Sequence, residues 1–298
     1  MANGEKYSGE FKFDKIDGRG KYNFLNGDVY EGDFKNEIKH GQGNYQYADG
    51  RIYSGSFINN KKQGYGVYIY GGGIKYSGDF VDEVFWGKGT INYPNGVSYT
   101  GEFEDFKYNG RGVISYADGS KYSGEFKDSK PSGQGTYIYA NGRKYSGGMK
   151  NGKYEGEGIL RYANGDSYTG GFKEGKFEGR GKISKSNGDS YTVEFKDGKF
   201  NGQGTVKYPN GDKYTGEFKD GKKHGKGNLV FKDKAVYTGD FLNDKSHGSG
   251  VLILSDGEKY EGEFENGNYH GQGTLTDVDG KIIYTGRWMN GDPPGSLK

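Results

Sequence analysis

The sequence lacks several features on which common protein classes depend. It has no cysteine, which excludes disulfide cross-links and thiolate metal sites and is typical of a reducing compartment. No apolar run approaches the roughly 20 residues of a membrane-spanning helix, and residues 1–11 have neither the basic nor the apolar segment of a signal peptide. These absences predict a soluble, cytoplasmic protein.

Aliphatic side chains are also scarce. Leu, Ile, Val and Phe together number only 52 of 298 residues, a share typical of disordered chains. Disorder, however, also requires few aromatics and a high net charge, whereas 16% of the residues are aromatic and the formal net charge is +2. The chain is therefore expected to fold around aromatic rings, and its balanced charge gives no reason to expect nucleic acid as a partner.

Glycine and tyrosine, by contrast, are abundant and periodic. The chain has 59 Gly and 28 Tyr, and a Tyr-x-Gly-x-Phe segment recurs every 23 residues with one last step of 24. The tyrosines that open the repeats, each counted as position 0, are Tyr7, Tyr30, Tyr53, Tyr76, Tyr99, Tyr122, Tyr145, Tyr168, Tyr191, Tyr214, Tyr237, Tyr260 and Tyr284. Glycine occupies positions 11 and 13 of every full repeat, and position 2 of every repeat except the ninth, which has Val193. The spacing predicts one array over residues 1–298, with full repeats from Tyr7 to Tyr260 and a truncated last repeat at 284–298.

Two strands fill each repeat. Residues 7–11 and 20–24 both alternate aromatic or glycine with polar residues, the period of a strand with two different faces. Dipeptides such as Asn26–Gly27 predict tight type I′ turns between repeats, and polar segments such as 219–224 predict longer loops within them. The expected fold is all-β: an elongated, single-layer antiparallel meander of 23-residue hairpins, a rod or ribbon whose rings line a groove.

The repeat resembles a known family. Tyr-Ser-Gly-Glu-Phe at 7–11, Gly-Gln-Gly-Thr-Tyr at 133–137 and Tyr-Pro-Asn-Gly-Asp-Lys-Tyr-Thr-Gly-Glu-Phe at 208–218 are similar to MORN (membrane occupation and recognition nexus) repeats, and the likeness covers nearly the whole chain. The resemblance implies a stand-alone array that serves as a scaffold, because relatives occur in radial spoke heads of cilia, cytoskeletal collars, membrane contacts and myosin adaptors. It also implies a groove that receives a peptide or helix of another protein.

No residue pattern predicts catalysis, a cofactor or a metal. The four histidines, His40, His224, His247 and His270, all fall at position 10, and equivalent positions of successive hairpins lie roughly 9–10 Å apart, too far to share one ion. We interpret them as turn-stabilising residues, with metal binding as the alternative. The carboxylates at position 3 predict an exposed charge ladder, since a repeated position cannot give the unequal environments of an acid–base pair.

Departures from the repeat mark a candidate protein-binding site in repeats three to six. Two aromatic columns are unbroken there, and the predicted turns of repeats four and five are apolar, which allows either a binding hot spot or local packing. The predicted site residues are Phe57, Phe80, Phe103 and Phe126 of the first column, Tyr70, Tyr93, Tyr116 and Tyr139 of the second, and Val81, Val84, Phe85, Trp86, Phe106 and Tyr108 of the turns. Lys185 and Asp277 interrupt the second column further along the chain, which predicts a bend there or a region without a partner.

These observations favour a non-enzymatic scaffold or adaptor that binds other proteins. The resemblance places it in a ciliary, axonemal or other cytoskeletal assembly. The alternative is a peripheral membrane organiser that binds anionic phospholipids, with lipid as a secondary partner. Uncapped strands at the ends of the array also predict pairing with a second copy.

Overall fold

The computed structural model describes residues 4–292, and every regular element in that range is a β-strand. The chain divides into two units, residues 1–153 and 154–298. The strands of the first unit are β1 (Lys6–Lys12), β2 (Lys15–Asn23), β3 (Val29–Lys35), β4 (Ile38–Gln46), β5 (Ile52–Ile58), β6 (Lys61–Ile69), β7 (Lys75–Val81), β8 (Val84–Asn92), β9 (Ser98–Glu104), β10 (Lys107–Ser115), β11 (Lys121–Lys127), β12 (Lys130–Ile138) and β13 (Lys144–Lys150). From the unit boundary onward they are β14 (Lys153–Arg161), β15 (Ser167–Lys173), β16 (Lys176–Ser184), β17 (Ser190–Lys196), β18 (Lys199–Lys207), β19 (Lys213–Lys219), β20 (Lys222–Val230), β21 (Val236–Leu242), β22 (Lys245–Ile253), β23 (Lys259–Glu265), β24 (Asn268–Thr276) and β25 (Ile282–Trp288).

Within each unit, every strand pairs antiparallel with the next one along the chain. The predicted all-β meander of antiparallel hairpins is thus confirmed. The single array, its elongated shape and its groove stay predictions, and residues 293–298 of the truncated last repeat lie outside the described range.

The connection within each repeat is a two-residue turn and not the longer polar loop that the sequence predicts. In the first repeat Lys12 pairs with Lys15, and Phe13 and Asp14 between them have φ of 52° and 61°. Two residues with positive φ in a two-residue hairpin form a type I′ turn. The prediction was wrong because the strands continue through polar residues, which face solvent on one side of the sheet.

The connection between repeats has three residues. Phe24 N–H donates to the Asp28 carbonyl at 2.9 Å, Gly27 N–H donates to the Phe24 carbonyl at 3.1 Å, and Gly27 has a φ of 89° while Asn26 is not left-handed. This is a type I turn followed by a glycine bulge. The prediction of type I′ turns at the Asn-Gly and Asp-Gly dipeptides was therefore also wrong.

The core consists of the position-0 tyrosine lying over glycine backbone. Tyr53 donates from its hydroxyl to the Ser56 carbonyl at 2.9 Å, and a Cβ added at Gly66 would lie 2.5 Å from the Tyr53 ring. The same ring meets Phe57 and Phe80 edge to face, with centroids 5.1 Å away in each case. The structure confirms that the glycine columns make room for rings.

A second layer of side chains covers these tyrosines. Phe85 stacks on Tyr76 and Tyr108 stacks on Tyr99, each pair with centroids 3.7 Å apart. In other repeats a lysine takes this place, as Lys39 does with its ammonium 4.8 Å from the Tyr45 centroid, and burial lowers the pKa of Lys39. Position 9 thus belongs to the core.

The position-3 carboxylates have a local role besides solubility. Asp33 accepts the backbone N–H of Gln42 at 2.8 Å, next to the bulge at Gly41, whose φ is 61°. Glu10, Asp79, Glu125, Glu217, Asp240 and Glu263 accept the corresponding N–H in their own repeats. The predicted charge ladder therefore also satisfies a bulge that recurs along the sheet.

Candidate protein-binding surface

A continuous row of tyrosines lies beside the three-residue connections of repeats three to six. Tyr70, Tyr93 and Tyr116 each donate a backbone N–H across a connection, at 2.8 to 2.9 Å, to the carbonyls of Ile74, Val97 and Ser120 respectively. Strand alternation places both sets on the aromatic face. We call this set the tyrosine row, and its members are Tyr70, Ile74, Tyr93, Val97, Tyr116, Ser120 and Tyr139.

The rings of the tyrosine row are held by the core but remain accessible. Tyr70 lies 4.5 Å from the Tyr68 centroid, and the Tyr93 and Tyr108 hydroxyls are 2.8 Å apart. All four tyrosines are half-buried, and burial raises the pKa of Tyr70 to about 12, so its hydroxyl stays neutral. The row therefore presents apolar ring surface.

The other predicted aromatic column is not available to a partner. Phe57, Phe80, Phe103 and Phe126 are at most 4% exposed, and the position-9 rings Phe85 and Tyr108 are 4% and 9% exposed. Their surface is consumed by contacts within the sheet. The prediction placed these six side chains in a contact surface. They instead pack within the sheet and hold the row in place.

The apolar residues of repeats four and five form a second surface, which we call the apolar edge: Val81, Val84, Trp86 and Phe106. Val81 pairs with Val84 across a two-residue turn, and Trp86 lies within β8, so these residues belong to strands and not to the turns predicted for them. Only Phe106 occupies a turn. The edge lies at the opposite end of the strands from the tyrosine row, some 20 Å away by strand rise, so the predicted site comprises two surfaces.

Phe106 occupies a strained position. Its φ is 62°, in the left-handed region where six other repeats of the described range have glycine, and its ring lies 4.8 Å from Phe85. A left-handed residue other than glycine costs about 1 kcal/mol. Phe106 is nevertheless 48% exposed, and Trp86, which has an ordinary backbone conformation, is 44% exposed.

Sequence reasoning missed two features of the surface. Ile74 and Val97 each stand at the residue before a strand and were not singled out in the sequence, although they complete the row. Tyr65 is 63% exposed on the polar face, opposite Asp79, where other repeats have polar or small side chains. Its signal in the sequence is the aromatic residue at position 12.

The equivalent row is charged in repeats seven to nine of the second unit. Lys185 lies 3.0 Å from Asp166 at the place of a tyrosine, and Asp189 and Asp212 stand where the first unit has Ile74 and Val97. The backbone N–H of Ser186, together with Lys185, lowers the pKa of Asp166 to about 2. The predicted interruption at Lys185 is therefore a local ion pair.

The polar face of the second unit contains a concavity of about 840 Å³. Its floor is glycine backbone and its lining includes Thr215, Asn228, Thr238, Ser249 and Glu261. Within residues 4–292 no group of three His, Asp or Glu side chains converges in a way that could hold a metal ion, and no helix there could cross a membrane.

Comparison with known proteins identifies the repeat. The MORN repeat family model matches residues 7–29, 30–50, 53–75, 76–98, 99–121, 122–142, 145–167, 168–190, 194–213, 214–236, 237–259 and 260–282. A search of curated proteins finds no match.

Similar solved structures are distant. The TCP domain of Drosophila melanogaster SAS-4, in complex with a proline-rich motif of Ana2, is 18% identical with a TM-score of 0.29, over 58% of this chain and 82% of that one. The TCP10 domain of Danio rerio CPAP, in complex with a STIL peptide, is 12% identical with a TM-score of 0.21, over 95% and 99% of the two chains. Such values are no guide to the partners of this chain.

Proposed function

Because the chain belongs to the MORN repeat family, we propose that it is a non-enzymatic scaffold that binds a peptide or helix of another protein on its tyrosine row. Through the family resemblance, the proposal extends to a ciliary, axonemal or other cytoskeletal assembly.

The observation that carries the proposal is the apolar continuity of the row. Four half-buried tyrosines alternate with Ile74, Val97 and the buried Ser120 before Arg143 ends the apolar stretch, whereas the same position of the next three repeats holds Asp166, Asp189 and Asp212. Tyrosine supplies large contact area with little conformational entropy to lose and is enriched at interface hot spots. A helix or extended segment that lay across the hairpins would contact the tyrosine rings one after another.

The test places one charge in the row without disturbing the fold. We expect Val97→Asp to be tolerated, because Asp28, Asp166, Asp189 and Asp212 occupy the equivalent position in other repeats. A desolvated carboxylate facing an apolar partner should weaken binding by about 2 kcal/mol. The matched control is Ala235→Asp, which makes the same change at the same repeat position of the second unit.

The measurement is quantitative capture of partners by the full chain, followed by mass spectrometry, with liposome flotation in parallel. The proposal expects partners that Val97→Asp loses and Ala235→Asp keeps. Partners that the Val97→Asp variant captures as well as the wild type would contradict the proposal. If the chain floats with anionic liposomes and captures no protein partner, the result would favour the membrane organiser.

A further inference from the structure

A row of lysines borders the two-residue turns of the second unit. Three successive turns are each flanked by two lysines, which pair directly across the hairpin. We call them the lysine edge: Lys173 with Lys176, Lys196 with Lys199, and Lys219 with Lys222. All six are exposed. Like charges placed directly opposite destabilise a sheet, so this arrangement needs a physical reason.

The charge of the edge is only partly neutralised. Lys176 lies 3.2 Å from Asp197, and Lys199 lies 3.9 Å from Asp220, each an acid of the following turn. Within residues 4–292 no ion pair joins Lys173, Lys196 or Lys219 to an acid. Each hairpin therefore has at least one ammonium group without an acidic partner among the described residues, and the third has two, since Lys222 has no ion pair there either.

Protection of an open sheet edge does not explain these lysines. Lysine on an edge strand discourages pairing with other chains. Strands β15 to β20, however, are each paired on both sides. The lysines adjoin buried rings, as Lys173 follows Phe172, and alternation therefore places them on the polar face.

The spacing selects the shape of the anion. Equivalent residues of successive hairpins are two strand spacings apart, roughly 9.5 Å. A polyproline II segment repeats every three residues over roughly 9.3 Å, so side chains at every third residue share one side and match this pitch. We propose that the lysine edge docks an acidic protein segment in the polyproline II conformation, with a carboxylate at every third residue.

The turn tips argue against a flat anionic membrane as the occupant. Glu174, Asp197 and Asp220 occupy the first position of the three turns. A bilayer that approached the edge end-on would meet these carboxylates together with the lysines. A narrow segment on the polar face reaches the lysines from the side. The inference concerns other residues than the tyrosine row and does not depend on it.

The experiment measures binding of the full chain to a labelled peptide of four Glu-Pro-Pro repeats by fluorescence anisotropy. An isomer of the same composition with its four glutamates contiguous tests the pitch. The test variant is Lys173→Glu with Lys196→Glu and Lys219→Glu. The matched control is Lys182→Glu with Lys207→Glu and Lys232→Glu, which changes the net charge equally at exposed lysines of the same three repeats.

We expect the test variant to bind the spaced peptide at least about tenfold more weakly, and the control to change by less than about threefold. The spaced peptide should bind more tightly than its isomer, and the affinity should fall as salt rises from about 50 to 200 mM. The test variant should melt no lower than the wild type, because it replaces opposed lysines with Glu–Lys pairs.

Three results would overturn the inference. Equal losses of affinity in the test and control variants would show that binding depends on total charge and not on the lysine edge. Equal affinity for the two peptides would remove the pitch argument. Binding to vesicles with about 30% phosphatidylserine, lost in the test variant while neither peptide binds, would assign the edge to lipid.

Discussion

Residues 4–153 and residues 154–292 each have a core built in the same way, and they differ in the side chains that this core leaves exposed. In repeats three to five of the first unit the row beside the three-residue connections has Tyr with Ile74, Val97 or Ser120, and charged Asp28, Arg51 and Arg143 take the second place in the other repeats. Repeats seven to nine of the second unit have Asp166, Lys185, Asp189 and Asp212 in the row. The borders of the two-residue turns also differ. Val81 and Val84 flank one turn of the first unit, whereas opposed lysines flank three successive turns of the second unit and the turns at 13–14 and 128–129 of the first. Two chemically different surfaces thus stand on one repeated backbone.

The comparison separates residues that specify the fold from residues free to specify partners. The position-0 tyrosine, the glycine beneath it and the adjacent Phe recur in both units because each ring needs bare backbone below and an aromatic edge beside it. The residue before each first strand and the residues beside the two-residue turns take no part in this ring-over-glycine contact, although Asp28, Ser120 and Ala235 at the first of these places are buried. Variation at those places changes the surface and leaves the ring-over-glycine core in place.

The largest expected effect is an unequal response of the units to alkaline pH. Six of the nine fully buried position-0 tyrosines lie in the first unit, and burial raises the pKa of Tyr122 and Tyr145 to about 12. Below pH 10 these hydroxyls are neutral in both the folded and the unfolded protein, so their contribution to the free energy of unfolding is intact. Above pH 10 the unfolded tyrosines release protons that the folded ones retain. The free energy of unfolding therefore falls by roughly 1 kcal/mol per buried tyrosine per pH unit until the folded groups titrate.

Limited proteolysis at pH 8 and pH 11 with an alkaline-active protease, mapped by mass spectrometry, measures this response. The first new cleavages should fall within residues 4–153. Cleavage that begins in the second unit, or equally in both, would show that the buried tyrosines do not set the alkaline limit.

The next largest effect is the loss of stability when a core glycine is replaced, which should be equal in the two units. A methyl group at Gly66 or Gly227 would come within 2.5 Å of the ring of Tyr53 or Tyr214. We expect Gly66→Ala and Gly227→Ala each to lower the free energy of unfolding by about 2–3 kcal/mol, measured by urea denaturation. Gly71→Ala is the control, because a Cβ there has nothing within 4 Å. A large loss at Gly71, or none at Gly66, would refute the ring-over-glycine core.

A smaller effect concerns partner affinity at the apolar edge. Trp86→Ala should weaken capture of the partner by about 1–2 kcal/mol, with unchanged β-sheet circular dichroism. Tyr162→Ala, at an exposed aromatic of the second unit, should leave capture unchanged. Intact capture with Trp86→Ala would assign the exposed ring to local packing.

The smallest effect separates binding from stability at Phe106. Phe106→Gly relieves a φ of 62° but loses the ring contact with Phe85, two terms of about 1 kcal/mol each and opposite sign. The melting temperature should therefore stay nearly constant while partner affinity falls. A fall in both would show that Phe106 mainly stabilises its turn.

The sequence predicts most of the fold because its signals are local and repeated. Alternation around Tyr7 and Tyr22 identifies both strands of a repeat, and the glycine columns predict rings over bare backbone. The turns were assigned the wrong way round because Asn26–Gly27 and Asn151–Gly152 look alike in sequence. What distinguishes them is the pairing outside the dipeptide, where Phe24 bonds to Asp28 but Lys12 pairs with Lys15.

The candidate surface was only partly predictable for the same reason. Repetition shows that Phe57 and Tyr70 belong to aromatic columns but not which column is covered, since coverage comes from rings such as Phe85 in another strand. Ile74 and Val97 stand in apparent turns, so alternation does not assign them to a face. The lysine edge was missed because lysine is frequent throughout. The 23-residue spacing already aligns Lys173, Lys196 and Lys219, but only the register shows that each pairs with a second lysine across its turn.

The central claim is that the tyrosine row of the first unit, and not its charged counterpart, holds the partner. Site-specific photo-crosslinking tests it most directly, with a benzophenone amino acid in place of Tyr93 in one chain and of Tyr208, the same repeat position in the second unit, in another. The account predicts a crosslinked partner segment from position 93 and none from position 208. Crosslinks from position 208 alone, or equal yields from both, would contradict it.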